Sequence, residues 1–548
     1  MLLTFAKRHK TLLIIAALAF IVRIIDINWD NGLGLHPDER MIMFVVERLT
    51  GGNLNPDFFN YGNLPIYLLK GVSSIVGLFD PSLTHYPNIL YVGRLLSTLF
   101  DTGTTILIFL ISTKLFHRNV GIIAGILYAT AVFPIQNAHF YIVDPQMTFW
   151  MFLTVWILIR NKLSSKTFLL AGITTGLASA TKFTGVVTLG LPLLFIAYHL
   201  FMSKQFVVKQ AIIYGFITLS SGVIVFFATQ PYTLLEFATY IKQVSAQLAM
   251  SSDASVFPYT KQFIPSIAYI EPAYGIISWG LGLPLGLLSL LGLIYTFFHT
   301  YQTRSSKLGL LLLFFGMYFL VFGQSAVKYM RYYLPLYPIL ILCAAIILDK
   351  VFTTLQTSLL SRFYKLAVAF MAVVLLVWPI MYLTTLQGPH TRVIASDWIF
   401  ETLELGSTIL SETWDDALPF GSHGAFTIDQ LDFYSPESDT KWETINSQLK
   451  NGDYLVLSSK RVYRSILLNP HEYPETSQWY LDLFNGRSEY QLIKTFTSYP
   501  RITFGSFSYI IPDNISPESF TIFDHPKVMI FKNISKDFEA DDNYSQTN

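Results

Sequence analysis

About eleven stretches of this 548-residue chain stay apolar over the ~20 residues that a bilayer-spanning helix needs, and no other feature restricts its fold as strongly. They run roughly over 11–28, 89–114, 119–136, 146–161, 167–182, 184–202, 210–229, 274–298, 308–323, 331–349 and 366–386. Composition agrees. Hydrophobic residues make up 52% and charged residues 13%, against about 25% charged in an average soluble protein. Lys7, Arg8 and Lys10 precede the first stretch, and Asn28-Trp29-Asp30 follows it in place of a small-residue cleavage site. That segment reads as a retained first span rather than a signal peptide.

The loops test the count, because cytoplasmic loops collect Lys and Arg. With the N-terminus inside, the inner loops hold Lys114, His117 and Arg118, then Arg160, Lys162 and Lys166, then Lys204 and Lys209, then Arg304 and Lys307, then Lys350, Arg362 and Lys365. The intervening loops are long or acidic, above all 28–88, with Asp38, Glu39 and Asp57, and 230–273, with Glu236, Asp253 and Glu271. An odd number of spans puts the C-terminus outside. After Gly388-Pro389 the composition turns polar. Residues 391–406 read as an amphipathic helix, and "STILSE", "GDYLVLSS" and "FTIFDHPKVMIFKN" read as strands. The expected fold is an all-α polytopic membrane bundle over 1–386 with a C-terminal extracytoplasmic α/β domain over 387–535 and a disordered tail over 536–548. The net charge of +1 gives no sign of a nucleic-acid partner. The single cysteine, Cys343, makes neither an internal disulfide nor a cysteine zinc cluster.

Candidate chemistry gathers on the outer side. "GLHPDERM" (34–41) directly follows the first span. Pro37 suits a helix start. Asp38 and Glu39 then face the positive end of the helix dipole, which keeps them ionised. An ionised carboxylate at a membrane surface suits a general base; a solvated helix start is the alternative. His36 stands beside them. Asp144-Pro145 forms a second acidic helix start, read either as a cap or as a carboxylate facing the same cavity as Asp38, there to bind metal or acceptor. Charged groups within or beside spans are expensive in lipid and face a cavity or a partner. Arg94, Lys182 and Arg331 are such groups, and converging cations suit a phosphate leaving group. An intramembrane ion pair is the other reading for Arg94 and Arg331, with Asp101 as one partner. Lys328 reads as a snorkelling side chain, and Arg23 and Asp26 as interfacial. Tyr232, in "TQPYTLLEF" (229–237), is an outer-side aromatic suited to stack on a sugar. Asp38, Glu39 and Asp144 are the candidate ligands for a divalent metal. No Walker, Rossmann, HExxH or GxSxG motif occurs, so no nucleotide cofactor is expected.

Seven pieces in order carry a resemblance: "HPDE" (36–39), "YVGRLLS" (91–97), "HFYIVDPQMTF" (139–149), "GLASATKFTG" (176–185), "TQPY" (229–232), "WGLGLPLG" (279–286) and "KYMRYYLPLYP" (328–338). With them the chain resembles the lipid-carrier-dependent glycosyltransferases of the protein O-mannosyltransferase and aminoarabinose-transferase superfamily, glycosyltransferase family 39, with the GT-C fold. The resemblance covers about residues 10–386. It implies a catalytic base at Asp38 with Glu39 beside it, a second-loop acid at Asp144, and an arginine near the active site or donor phosphate at Arg94. Lys182 and Arg331 follow as donor-phosphate contacts. It implies a polyprenyl-phosphate sugar donor and a lipid, glycan or protein acceptor. The MIR domain of eukaryotic protein mannosyltransferases is not seen, which favours a bacterial or archaeal cytoplasmic-membrane protein. The expected function is inverting transfer of a mannose-like or other hexose or pentose to an acceptor hydroxyl on the outer face. The alternative is a polytopic transporter or flippase, or an envelope glycan-binding scaffold.

Overall fold

The computed structural model describes residues 2–202, 205–358 and 361–536. The expected tail over 536–548 lies, apart from Lys536, outside the described residues. The chain divides into two compact units, one of Met1–Asn28, Gly32–Leu248 and Tyr269–Ile380, the other of Trp29–Asn31, Ala249–Ala268 and Met381–Asn548. The division falls a few residues before the expected 386/387 boundary, and part of the 230–273 loop belongs to the second unit.

All eleven apolar windows are helical. Among the described residues seven helices are long and apolar enough to cross a membrane, or eight if Arg118–Ala129 and Val132–Ala138, bent by 56°, form one broken span. Leu2–Ile24, Val143–Arg160 and Ser165–Thr181 are helices without meeting that measure. The last two are inner helices. Asp144, Gln146, Thr148, Thr154, Thr174 and Thr175 are all buried in them, and a helix that faces protein needs less apolar surface than one that faces lipid. Val208–Thr229 shows the opposite case, with Ile212, Phe216 and Ile224 turned outward. Gly172 and Gly176 let Ser165–Thr181 approach the backbone of Val208–Thr229 at Thr218 and Gly222, where any Cβ would collide. This is the close small-residue packing that joins helices in lipid.

The loop over 28–88 is built rather than loose. Pro37–Arg48 and Leu64–Val76 each start with proline in the first turn, where its missing N–H is harmless. They bury Ile42, Met43, Val46, Ile66 and Leu69 against Ile89, Leu90 and Tyr141. Gly34, at φ +59, turns the chain into the first of these helices.

In the second unit a five-stranded sheet has the order β2-β1-β3-β7-β4, with β1 Thr408–Glu412, β2 Thr427–Leu431, β3 Tyr454–Leu457, β4 Tyr490–Phe496 and β7 Val528–Asn533. β1 runs parallel to β2 and β3, and β7 antiparallel to β3 and β4. Alternation along the strands feeds two cores. Leu410, Leu455, Leu457, Met529 and Phe531 point to one face, and Ile409, Val456, Val528 and Ile530 to the other. Helices therefore cover both sides of the central strands. Of "FTIFDHPKVMIFKN" only Val528–Asn533 is strand; Glu518–Thr521 is a helical turn. β5 Arg501–Phe504 and β6 Phe507–Ile510 form a separate hairpin. Loop residues of 249–268 join this unit through Lys261, whose Nζ lies 2.6 Å from Tyr473 Oη and pairs with Glu472, and whose carbonyl accepts from Asn469 at 3.0 Å.

His525 sits fully buried between Asp524, 2.7 Å away, and Asp513, 2.9 Å away. Burial alone would lower its pKa, but the two carboxylates outweigh burial and push it from 6.5 up to about 10. A folded-state value above the unfolded one stabilises fully below pH 6.5, and that contribution is lost as pH rises through about 10. In thermal melts, His525→Gln should therefore differ most from wild type near about pH 6, with the gap closing toward about pH 10. A pH-independent gap would contradict the charged-histidine reading.

Candidate active site

Two carboxylate–cation pairs stand at the loop ends of the helices in the first unit. Asp38, in the first turn of Pro37–Arg48, lies 2.7 Å from Arg331. Asp144, in the first turn of Val143–Arg160, lies 2.8 Å from Lys182. Tyr332 links the pairs: Lys182 Nζ lies 4.5 Å from its ring centre, and the Arg331 guanidinium 5.9 Å from it. Tyr329 lies 5.3 Å beneath the same guanidinium. Cations over aromatic faces are attracted by the ring quadrupole.

The chain segments that deliver these groups are tied in place. Met330–Leu336 is a 3-10 turn leading into Tyr337–Thr357. Tyr318 donates to the Tyr332 carbonyl at 2.8 Å, and Tyr333 donates to the Phe322 carbonyl at 3.0 Å. Gly62 donates its N–H to the Thr181 carbonyl at 3.2 Å, and a Cβ there would strike the Ala180 backbone. That contact brings the 28–88 loop against the Lys182 segment, and the adjacent Tyr61 phenol stands near Asp38.

The pairs differ in access. The Asp38 and Arg331 side chains are 21% and 16% exposed, whereas Asp144 and Lys182 are 1% and 8% exposed. Burial raises the pKa of Asp38, but Arg331 first, then His36, the Tyr61 hydroxyl and Lys182, outweigh it and hold the carboxyl below its usual range. Burial and the Asp38 charge push the Tyr61 phenol well above its ordinary value, so it stays a hydrogen-bond donor. The result is a reachable, ionised carboxylate next to two cations.

Other expected site residues fall elsewhere. Glu39 is fully buried. Its carboxylate takes Arg94 Nε at 2.9 Å, Arg94 Nη2 at 2.8 Å and the Tyr141 N–H at 2.9 Å. Successive helical residues point about 100° apart, so Asp38 can face the pair with Arg331 while Glu39 faces the protein interior. Arg94 is equally buried and donates also to the Ile27 carbonyl at 2.9 Å. It joins Glu39 rather than Asp101, the partner weighed from sequence. Asp101 instead takes Arg23 at 2.5 Å and the Tyr128 hydroxyl at 2.8 Å. Arg23 is thus fully buried, not interfacial. Its guanidinium also reaches the carbonyls of Ala19, Tyr128 and Ala129, which supply the solvation that water would have given. Lys328 is buried too and donates to the Ala326 carbonyl at 3.1 Å, so it does not snorkel. His36 is buried with its ring 4.7 Å from Phe140. Tyr232 opens the short helix Tyr232–Leu235 and neighbours Tyr67. Tyr61, Tyr329 and Tyr332 were not singled out from sequence. Two of them flank Arg331 in "KYMRYYLP", which was the available signal.

The expected metal set does not fit a divalent ion. Glu39 is saturated by three donors, and Asp38 and Asp144 each carry a cation. Among the described residues no three His, Cys, Asp or Glu side chains gather as a metal site.

A family model described as dolichyl-phosphate-mannose-protein mannosyltransferase matches residues 89–230, a span that holds Arg94, Asp144 and Lys182. No curated protein sequence matches the chain. Among solved structures, the apo oligosaccharyltransferase of Archaeoglobus fulgidus is similar with a TM-score of 0.55 and 14% identity, over 92% of this chain and 76% of that one. The same archaeal enzyme, AglB, in complex with an inhibitory peptide and a dolichol-phosphate, gives 0.52 and 14%, over 93% and 75%. The chain has the GT-C fold. ArnT from Cupriavidus metallidurans bound to undecaprenyl phosphate is also similar, at 0.47 and 13%, over 95% and 98% of the two chains. With this fold and its apolar helices, the chain is an integral membrane protein.

Proposed function

We propose that this GT-C protein is a glycosyltransferase that takes a sugar, mannose-like or another hexose or pentose, from a polyprenyl-phosphate carrier. The acceptor is a hydroxyl of a lipid, glycan or protein on the outer face of a bacterial or archaeal cytoplasmic membrane. The carrying observation is the reachable Asp38–Arg331 pair, set beside Asp144–Lys182 around Tyr332. The dolichol-phosphate on the archaeal enzyme of the same fold supports a lipid-phosphate donor.

In this reading the donor phosphate competes with Asp38 and Asp144 for Arg331 and Lys182. Guanidinium and ammonium groups bind phosphate oxygens strongly. Asp38, released toward the acceptor, takes the hydroxyl proton. The acceptor oxygen forms its bond to the anomeric carbon from the side opposite the phosphate. The carbon–oxygen bond to phosphate breaks, and its electron pair leaves on the lipid phosphate, where the two cations stabilise it. Glu39 and Arg94 act as positioning residues that clamp the first outer helix to the helix Ile89–Leu115.

Reconstitution of the full chain in nanodiscs, with the anomeric configuration of the product read by NMR, tests this mechanism. An inverted product is expected; a retained configuration contradicts a single displacement. Because every carboxylate of the expected metal set already faces a cation, chelation should leave the rate unchanged. A loss with EDTA that added divalent ion restores would overturn the metal-free reading.

A further inference from the structure

The β5–β6 hairpin has a feature that the proposed chemistry does not use. Its register pairs Ile502 with Tyr509 and Phe504 with Phe507. Side chains two apart on a strand share a face. One face is therefore Ile502, Phe504, Phe507 and Tyr509, with no polar side chain except the tyrosine hydroxyl. The other carries Arg501, Thr503, Ser508 and Ile510, with the Thr503 and Ser508 hydroxyls 3.3 Å apart. The apolar face is bare: Phe504 is 68%, Phe507 63% and Tyr509 54% exposed. An isolated two-stranded ribbon is marginal at best in water, so a bare aromatic face on one calls for an occupant.

The root of the hairpin says which occupant. The Arg501 N–H donates to Thr384 Oγ1, and that hydroxyl donates to the Arg501 carbonyl, each at 3.2 Å. Ser498 donates to the Thr385 carbonyl at 3.4 Å. Thr384 and Thr385 lie in the last turn of Tyr364–Leu386, within the last apolar helix long enough to cross the membrane. The hairpin is thus stapled to the C-terminal end of that helix. Strands of four residues reach about 13 Å from that root, and the headgroup layer is roughly 5–7 Å deep on each side. Aromatic side chains concentrate at this depth. Arg501 stands at the root, where a cation meets anionic headgroups.

We propose that the hairpin Arg501–Ile510 is an interfacial anchor that lays Ile502, Phe504, Phe507 and Tyr509 into the lipid headgroup layer. A protein partner is the less favoured occupant, because the root of the hairpin lies in the last turn of an apolar helix long enough to cross a membrane.

The test uses the full chain in phosphatidylglycerol-containing nanodiscs. Ser506→Cys, at the exposed tip, is labelled with a polarity-sensitive fluorophore; Cys343 is buried, and the unsubstituted chain gives the background. Glu443→Cys, on an exposed helix face of the same unit, is the water-facing reference. The label at 506 is expected to be quenched by a lipid-borne nitroxide and shielded from aqueous iodide, with the reference label showing the reverse. Adding Phe504→Ser and Phe507→Ser should abolish the lipid quenching. Iodide quenching equal to the reference would overturn the proposal. So would shielding from both quenchers, which would mean that a second copy or another protein covers the face. The 506 label decides this even where the doubly substituted hairpin does not fold.

Discussion

Asp38→Asn is expected to reduce sugar transfer by about 100- to 10,000-fold, the range typical of losing a general base, while donor binding is kept or tightened. The two effects separate because the proposed mechanism gives Asp38 two roles. As a carboxylate it accepts the acceptor proton; as the counter-ion of Arg331, 2.7 Å away, it competes with the donor phosphate for the same guanidinium. Asparagine has the same shape and removes both base and competitor. Single-turnover rates and polyprenyl-phosphate binding, measured on one preparation, check both effects. Undiminished turnover would remove Asp38 from the mechanism. Weakened donor binding with an unchanged chemical rate would make it a binding residue instead.

Glu39→Ala should destabilise the protein by about 3–5 kcal/mol, the range for leaving one member of a buried ion pair alone. Arg94, itself fully buried, would then lose the carboxylate that takes its Nε and Nη2. The Tyr141 N–H would lose its acceptor as well. Replacing both Glu39 and Arg94 with apolar residues of similar volume should cost less than the sum of the two single changes, because no unpaired charge remains. Thermal unfolding in nanodiscs across this double-mutant cycle is the measurement. Additive effects would show that the pair does not act as a unit. Glu39→Ala with normal stability and lost turnover would return Glu39 to the catalytic role read from sequence.

What could be read from sequence follows a physical line. Apolar length is a local property, so the eleven windows are helical here, several of them as two helical pieces. Acids after Pro37 and before Pro145 announce helix starts locally, and Asp38 and Asp144 occupy such first turns. Partnership between charges is not local. Arg94 and Asp101 share one helix, yet each is neutralised from another, by Glu39 and by Arg23. Helix crossings determine that choice, and no spacing rule along one helix contains them. Likewise Tyr61 reaches Asp38 only because Gly62 docks on Thr181, more than a hundred residues away. In the second unit, β1 and β3 are buried apolar runs and stood out. β2 and β4 are edge strands with mostly exposed or half-buried residues, so their alternation carries little signal. The proposed transferase chemistry rests on the arrangement of Asp38, Arg331, Asp144, Lys182 and Tyr332 within the GT-C fold.

The most direct test of that chemistry is to incubate the purified full chain in nanodiscs with radiolabelled polyprenyl-phosphate sugars and acceptor-rich membrane extract, and to follow label from lipid to product. The account predicts transfer from at least one donor, with free polyprenyl phosphate released in equal amount. A folded protein that leaves every lipid-linked sugar intact would contradict it.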